Sequence, residues 1–250
     1  MIHSFLMIGQ SNMAGRGFEA DVKPINNPNL MMLVNGRWQP LRVPVNYDRA
    51  DSGVSLAESF ADEYSKAHPG VQVGLIPCAD GGTEIAKWQK GTLLYDHAIY
   101  QVRLAERTST VAGILWHQGE TDIMENIPGY REKLEAVIKA FRDEPSLSQV
   151  PFLIGGLGLS FLKNFDESFV KYGDGIESII TQVATSTPLC AYVSPEGLTS
   201  NPDNLHFNAK SLREFGKRYF NEFDKLEDKT RVFIEKPRED GAVLNKIELL

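Results

Sequence analysis

The stretch Ile2-His3-Ser4-Phe5-Leu6-Met7-Ile8-Gly9-Gln10-Ser11-Asn12-Met13-Ala14-Gly15 is an apolar run that stops at Gly-Gln-Ser-Asn and gives way to small, helix-compatible residues. It reads as a buried strand, a tight turn, and a helix beginning at or just after Ser11. The first turn of a helix carries unpaired backbone N–H groups and a partial positive charge. A serine there can present its hydroxyl beside donors suited to an oxyanion. A serine also suits a plain N-cap, so this stretch alone leaves both roles open.

Working outward, residues 16–51 hold Pro24, Pro28, Pro40, Pro44 and many asparagines, with no sustained helical period. Within them, Leu30-Met31-Met32-Leu33-Val34 and Arg37-Trp38 flank Asn35-Gly36, a hairpin signal. So long a loop region in a compact domain is usually functional or disordered. Trp38 and Tyr47 argue for order, and the region reads as a lid or wall near Ser11. Beyond it, Val54, Ala57, Phe60, Ala61 and Tyr64 recur on one face of a helix over 53–68, stopped by Pro69-Gly70. A second strand, Val71 to Pro77, ends in the turn Ala79-Asp80-Gly81-Gly82-Thr83. Leu94, Ala98, Val102 and Ala105 mark a helix. A third strand, Val111 to Trp116, ends in His117-Gln118-Gly119-Glu120-Thr121-Asp122. A helix through Tyr130, Leu134, Val137 and Phe141 follows, then a fourth strand, Phe152 to Gly156. A helix through Ile176, Ile179, Ile180 and Val183 leads to a fifth strand, Leu189 to Val193. After the loop Asp203-Asn204-Leu205-His206-Phe207-Asn208 comes a last helix through Leu212, Phe215, Tyr219 and Phe223.

Strands alternate with helices five times, which implies an α/β fold with a five-stranded parallel sheet and helices on both faces. Residues 1–227 are expected to form one domain. Residues 228–250 are a charged extension, in which Val232-Phe233-Ile234 and Val243-Leu244 could pair as a peripheral hairpin across Glu239-Asp240-Gly241.

The 250 residues suffice for a large core. A net charge of −7 and the lack of any basic run argue against nucleic acid as a partner. No apolar segment approaches the roughly 20 residues needed to span a membrane. The N-terminus shows neither a basic n-region nor a small-residue cleavage site, so a cytoplasmic location is expected. Cys78 and Cys190 each end an apolar run and read as two buried free thiols, since their spacing does not argue for a disulfide.

In open parallel sheets, ligands bind outside the carboxyl ends of the strands. Ser11 stands at the first such end, Gly81-Gly82-Thr83 at the second, Gln118-Gly119-Glu120 at the third, and Asp203 with His206 after the fifth. That set contains the parts of an acyl-transfer site. A serine hydroxyl needs a base to take its proton. Of the five histidines, only His206 shares a loop with a carboxylate one turn away, and Asp203 can fix its tautomer. The N–H groups of Ser11 and of Gly81 or Gly82, with the Gln118 amide, are candidate donors to the oxyanion. Asp203 could instead cap the last helix. His117, Glu120 and Asp122 match no strong metal-ligand spacing, so neither a metal nor an organic cofactor is expected.

Four blocks carry a resemblance: Gly9-Gln10-Ser11-Asn12-Met13-Ala14-Gly15; Gly81-Gly82-Thr83-Glu84-Ile85 with Trp88; Trp116-His117-Gln118-Gly119-Glu120-Thr121-Asp122; and Asp203-Asn204-Leu205-His206. In this order, from about residue 2 to about residue 223, the chain resembles the sialate O-acetylesterase and carbohydrate esterase family 6 (acetylxylan esterase-like) branch of the SGNH (GDSL-like) hydrolases. The resemblance implies a flavodoxin-like three-layer α/β/α sandwich. It also implies a serine esterase that removes O-acetyl groups from sugars without a cofactor, with Ser11 as nucleophile and His206 as base. Gly81 corresponds to the oxyanion glycine of the second block, with Gly82 as the neighbouring option. Gln118 sits where the wider superfamily has asparagine, and Gly-Gln-Ser replaces its Gly-Asp-Ser. Asp203 is favoured as triad acid because its position relative to His206 is set locally. Glu120 is the rival carboxylate, or else a support that orients Gln118 or the loop.

Gln10, Asn12, Arg16, Arg49 and Trp38 are candidate substrate contacts. The Asn, Arg and Asp content of residues 16–51 suits sugar hydroxyls better than an acyl groove. The alternatives are an SGNH esterase or thioesterase acting on lipid or other acyl esters, and a sugar-binding protein without activity. Sialic acid, xylan and other acetylated glycans all remain open as substrates.

Overall fold

The computed structural model describes residues 1–237. Strands run over Ile2–Gly9 (β1), Leu30–Val34 (β2), Arg37–Pro40 (β3), Gln72–Pro77 (β4), Thr110–His117 (β5), Phe152–Gly155 (β6) and Cys190–Val193 (β7). Helices run over Ser11–Ala14 (α1), Leu56–Ala67 (α2), Leu93–Ala105 (α3), Glu120–Met124 (α4), Tyr130–Arg142 (α5), Leu159–Leu162 (α6), Ser168–Lys171 (α7), Gly173–Ser186 (α8) and Ala209–Leu226 (α9).

The sheet order is β3-β2-β4-β1-β5-β6-β7. The five strands read from the alternation form the parallel array β4-β1-β5-β6-β7. The sheet nevertheless has seven strands, not five. The hairpin signalled by Asn35-Gly36 joins the main sheet, with β2 parallel to β4 and β3 antiparallel to β2. Both turn residues have positive φ (51° and 72°), as a type I′ hairpin needs. Gly74 on β4 makes room for this edge: a Cβ there would lie 2.5 Å from the Trp38 ring. Trp38 is therefore a core residue, with its indole N–H donating to Thr108 Oγ1 at 3.0 Å. It is not a substrate contact.

β1 is buried along its whole length, as expected of a central strand covered on both faces. The chain passes from β1 leftward to β4 and then returns past β1 to β5, β6 and β7. With right-handed crossovers, this reversal places α2 on one face and α3, α5 and α8 on the other. α9 returns to pack on α2. Phe5 of β1 meets Phe60 and Tyr64 of α2 (centroids 4.8 Å in each case) and Phe223 of α9 (5.4 Å). Ser55 and Glu58 form a capping box that starts α2. Cys78 and Cys190 are buried free thiols.

Residues 228–237 form no strand. Phe233 stacks on His3 at 3.6 Å, and Arg231 donates to Val111 O. The other half of the expected hairpin, Val243-Leu244, lies outside the described residues. Among the described residues no helix is long and apolar enough to cross a membrane.

Candidate active site

Because β4 and β5 flank β1 and are reached in opposite directions, a crevice opens at the carboxyl end of β1. Gly9 turns the chain there at φ +126°, and a Cβ on it would lie 2.0 Å from His117 O. Only glycine lets the two backbones come this close. The Gln10 N–H then donates to His117 O at 2.9 Å, and α1 begins at Ser11.

The Ser11 hydroxyl lies 3.0 Å from His206 Nε2. His206 Nδ1 lies 2.8 Å from Asp203 Oδ2. With the imidazole proton on Nδ1, facing the carboxylate, the Nε2 lone pair faces the serine hydroxyl. Asp203 Oδ1 accepts the N–H groups of Leu205 and His206 at 2.9 and 3.0 Å. Burial pushes the Asp203 carboxyl up, but these two N–H groups and the imidazole outweigh it, and the group sits below its ordinary value. The three residues come together across 195 positions of chain because β1 and the loop before α9 end on the same edge of the sheet.

Ser11, His206, Gly81, Gly82, Arg16 and Arg49 line one hollow of about 370 Å³, with Thr121, Met124, Leu205, Gln10 and Asp51 in its wall. The residues around this hollow reproduce a recognisable order along the chain. Residues 1–225 match a family described as carbohydrate esterase, sialic acid-specific acetylesterase. The chain belongs to this family. Its members are carbohydrate acetylesterases, and the chain is thus a carboxylic ester hydrolase. A probable carbohydrate esterase of Arabidopsis thaliana is 26% identical over 235 residues, covering 85% of this chain and 86% of that one. An Arabidopsis thaliana crystal structure superposes with a TM-score of 0.78 at 24% identity, over 90% of this chain and 99% of that one. The structure of NanS gives 0.67 at 17% identity, over 90% and 97%. At these identities the superpositions establish the shared SGNH-type fold.

Within this esterase fold, several side chains face inward where a substrate contact was expected. Asn12 is buried: its Oδ1 accepts the Phe207 N–H at 3.0 Å, and its Nδ2 donates to Glu120 Oε1 at 2.6 Å and Leu205 O at 3.3 Å. It ties the nucleophile's helix to the histidine loop. Gln10 turns its Oε1 to the N–H groups of Gly119 and Thr121 and to the Gln118 amide. The Gln118 amide donates to Thr83 O at 3.0 Å and to Asp122 Oδ2 at 2.5 Å, and the residue is fully buried. Both of its amide hydrogens thus have protein acceptors, and it braces the Gly81–Thr83 turn from below. Burial pushes the Asp122 carboxyl up, against the pull of that amide.

Glu120 does not reach His206. It pairs with His117 Nε2 at 3.0 Å, both side chains being fully buried. Burial pushes the Glu120 carboxyl up, but the His117 charge and the bonds from His117 and Asn12 bring it below its ordinary value.

Residue 48 is the contributor that sequence reasoning missed. Asp48 accepts both Nη1 and Nη2 of Arg16 (3.0 and 2.7 Å), the Gly81 N–H (2.8 Å) and the Ser52 hydroxyl (2.9 Å). Burial pushes its carboxyl up, but the guanidinium and the Gly81 N–H hold it low. The Gly81 N–H therefore already has an acceptor. Among the described residues, the N–H groups of Ser11 and Gly82 have none. Arg16 is almost wholly buried by this bidentate pair, with Asp51 near its Nε at 3.4 Å. Arg49, half exposed, pairs with Asp80 at 2.8 Å. The only sequence signal for Asp48 was its place in the long loop read as a wall of the site. Among the described residues, no group of three His, Cys, Asp or Glu side chains is placed to hold a metal ion.

Proposed function

We propose that this chain is a serine esterase that removes O-acetyl groups from a carbohydrate through an acetyl-serine intermediate. The Ser11–His206–Asp203 relay, at 3.0 and 2.8 Å, carries the reading, because it is the arrangement that activates a serine hydroxyl. His206 Nε2 takes the Ser11 proton as Oγ attacks the acetyl carbonyl. The carbonyl oxygen becomes an oxyanion, met by the Ser11 N–H and, with the Gly81 N–H held by Asp48, by the Gly82 N–H. His206 returns the proton to the sugar oxygen as the ester bond breaks. Water, deprotonated by the same imidazole, then attacks the acetyl-serine, and as the acetyl–Oγ bond breaks His206 returns the proton to Ser11 Oγ and acetate leaves.

Asp203 keeps the tautomer and stabilises the imidazolium that forms in each step. The hollow around Ser11 has Met124 and Leu205 in its wall and the exposed side chains of Arg49 and Asp51 at its rim, and these two charged groups are the ones free to bond sugar hydroxyls.

The test compares p-nitrophenyl acetate, p-nitrophenyl octanoate and O-acetylated sugars, sialic acid and xylo-oligosaccharides among them, with wild type and Ser11→Ala. The expected outcome is turnover of acetate and of at least one sugar acetate, abolished by the substitution. Preference for octanoate would move the assignment to lipid esters, and turnover that survives Ser11→Ala would refute the serine mechanism.

A further inference from the structure

A second hollow, of about 540 Å³, lies beside the catalytic one, outside the carboxyl ends of β2 and β4. Arg49 lines both hollows. Its guanidinium bonds Asp80, Gly81 O at 3.0 Å and Asp48 O at 2.8 Å, and so forms the partition between them. Both volumes lie within the roughly 300–1,000 Å³ of small-molecule sites. The acetyl relay needs only the smaller one.

Two side chains of the larger hollow have no evident structural task. Tyr47 is 76% exposed, and among the described residues no ring or hydrogen-bond partner meets it. Arg42 is exposed, and among the described residues no carboxylate pairs with it. Both belong to the long loop between β3 and α2. Farther down that loop, the Asn46 side chain exchanges two hydrogen bonds with the Ala79 backbone (3.0 and 2.9 Å), which holds the loop rigidly against the end of β4. An exposed aromatic face held on a fixed loop can stack under the C–H face of a sugar ring. His97 and Gln101 of α3 add polar groups on the opposite wall.

We propose that this hollow is a second sugar subsite. It holds the sugar residue glycosidically attached to the acetylated one, with Tyr47 against its ring face and Arg42 and Arg49 donating to its hydroxyls. The proposal rests on the esterase reading of the Ser11 site and extends it. The substrate is then an acetylated oligosaccharide, not a free acetylated monosaccharide. The hollow plays no part in the acyl chemistry, so its loss acts on KM and leaves kcat alone.

The experiment measures kcat and KM for wild type, Tyr47→Ala, Tyr47→Phe and Arg42→Ala on three substrates: p-nitrophenyl acetate, an O-acetylated methyl xyloside, and an O-acetylated xylobiose. Wild type should show a lower KM for the disaccharide than for the monosaccharide. Tyr47→Ala should raise the disaccharide KM by roughly three- to tenfold, with the other two substrates unchanged, and Tyr47→Phe should behave as wild type. Equal KM for one and two sugar rings in wild type, or a Tyr47→Ala effect independent of chain length, overturns the subsite.

Calorimetric binding of unacetylated xylobiose to Ser11→Ala and to the Ser11→Ala, Tyr47→Ala double variant reads the hollow without turnover. Binding weakened by the second substitution supports the subsite even if the esterase reading fails. Binding indifferent to it refutes the subsite even if the esterase reading stands.

Discussion

Replacing Asp203 by asparagine tests the relay most directly. The change keeps the shape of the side chain and its acceptor for the Leu205 and His206 N–H groups, so the loop should stay folded. It puts an amide where the carboxylate faces His206 Nδ1 at 2.8 Å. Two effects follow. The imidazole is pushed toward the tautomer whose Nε2 carries the proton, which cannot act as base. The imidazolium formed during attack also loses its counter-charge.

The second effect can be sized. The Asp203 side chain is 43% exposed, so the interaction lies between the surface and bulk-water limits. At an effective dielectric of about 40 and the observed separation, Coulomb's law gives about 3 kcal/mol, or roughly a hundredfold in kcat. The tautomer penalty adds to it, so a loss of about 10²–10³-fold in kcat is expected. This is smaller than the ~10⁴-fold known for a fully buried triad acid. The assay is initial-rate hydrolysis of p-nitrophenyl acetate with enzyme checked for native circular dichroism. A loss under tenfold in folded enzyme would refute Asp203 as the acid of the relay.

Glu120→Gln separates the rival carboxylate: it puts an amide where a fully buried carboxylate oxygen meets Asn12 Nδ2 and His117 Nε2, and a buried polar group left unpaired costs about 1–3 kcal/mol of stability. A marked drop in Tm by scanning calorimetry is expected, and an unchanged Tm with kcat lost as in Asp203→Asn would instead make Glu120 the acid. Burial, with His68 and Arg231 nearby, lowers the pKa of His3 to about 4, against an unfolded value near 6.5. The folded state thus prefers the neutral imidazole, so this contribution is fully present above about pH 6.5 and is lost as pH falls through about 4. It amounts to at most about 3 kcal/mol. Urea midpoints at pH 7.5 and 4.5 should converge in His3→Gln relative to wild type, and an unchanged pH slope would contradict the assignment. Trp38→Ala should destabilise by about 3–5 kcal/mol, because the ring fills the space over Gly74. Its KM for any sugar acetate should match wild type; a KM that rises in still-folded enzyme would restore Trp38 as a contact.

Features that depend on neighbouring residues and on hydrophobic period were legible along the chain. Apolar runs alternating with amphipathic helices specify five parallel βα units, because each strand must be buried on both faces and each helix on one. Asp203 and His206 are three residues apart, so their pairing is a local matter. Ser11 follows a turn that needs glycine, and the rule that strand carboxyl ends converge brings it to the same edge.

Which polar groups are left free for a substrate depends on packing between segments distant in the chain. Gln10 and Asn12 flank the nucleophile, Gln118 stands in the third block, and all three read as substrate or oxyanion contacts. Their partners Glu120, Leu205 O, Phe207 N–H, Gly119 N–H and Thr83 O lie as far as 195 residues away. A buried amide must satisfy its hydrogen-bonding groups wherever the fold supplies partners, and no sequence window shows those partners. The same reason hid Asp48, whose place beside Gly81 depends on how a loop with no periodicity folds back over β4. It also hid that β2 and β3 extend the main sheet. Asn35-Gly36 specifies the hairpin, but its joining of the main sheet depends on the space left over Gly74 for the Trp38 ring.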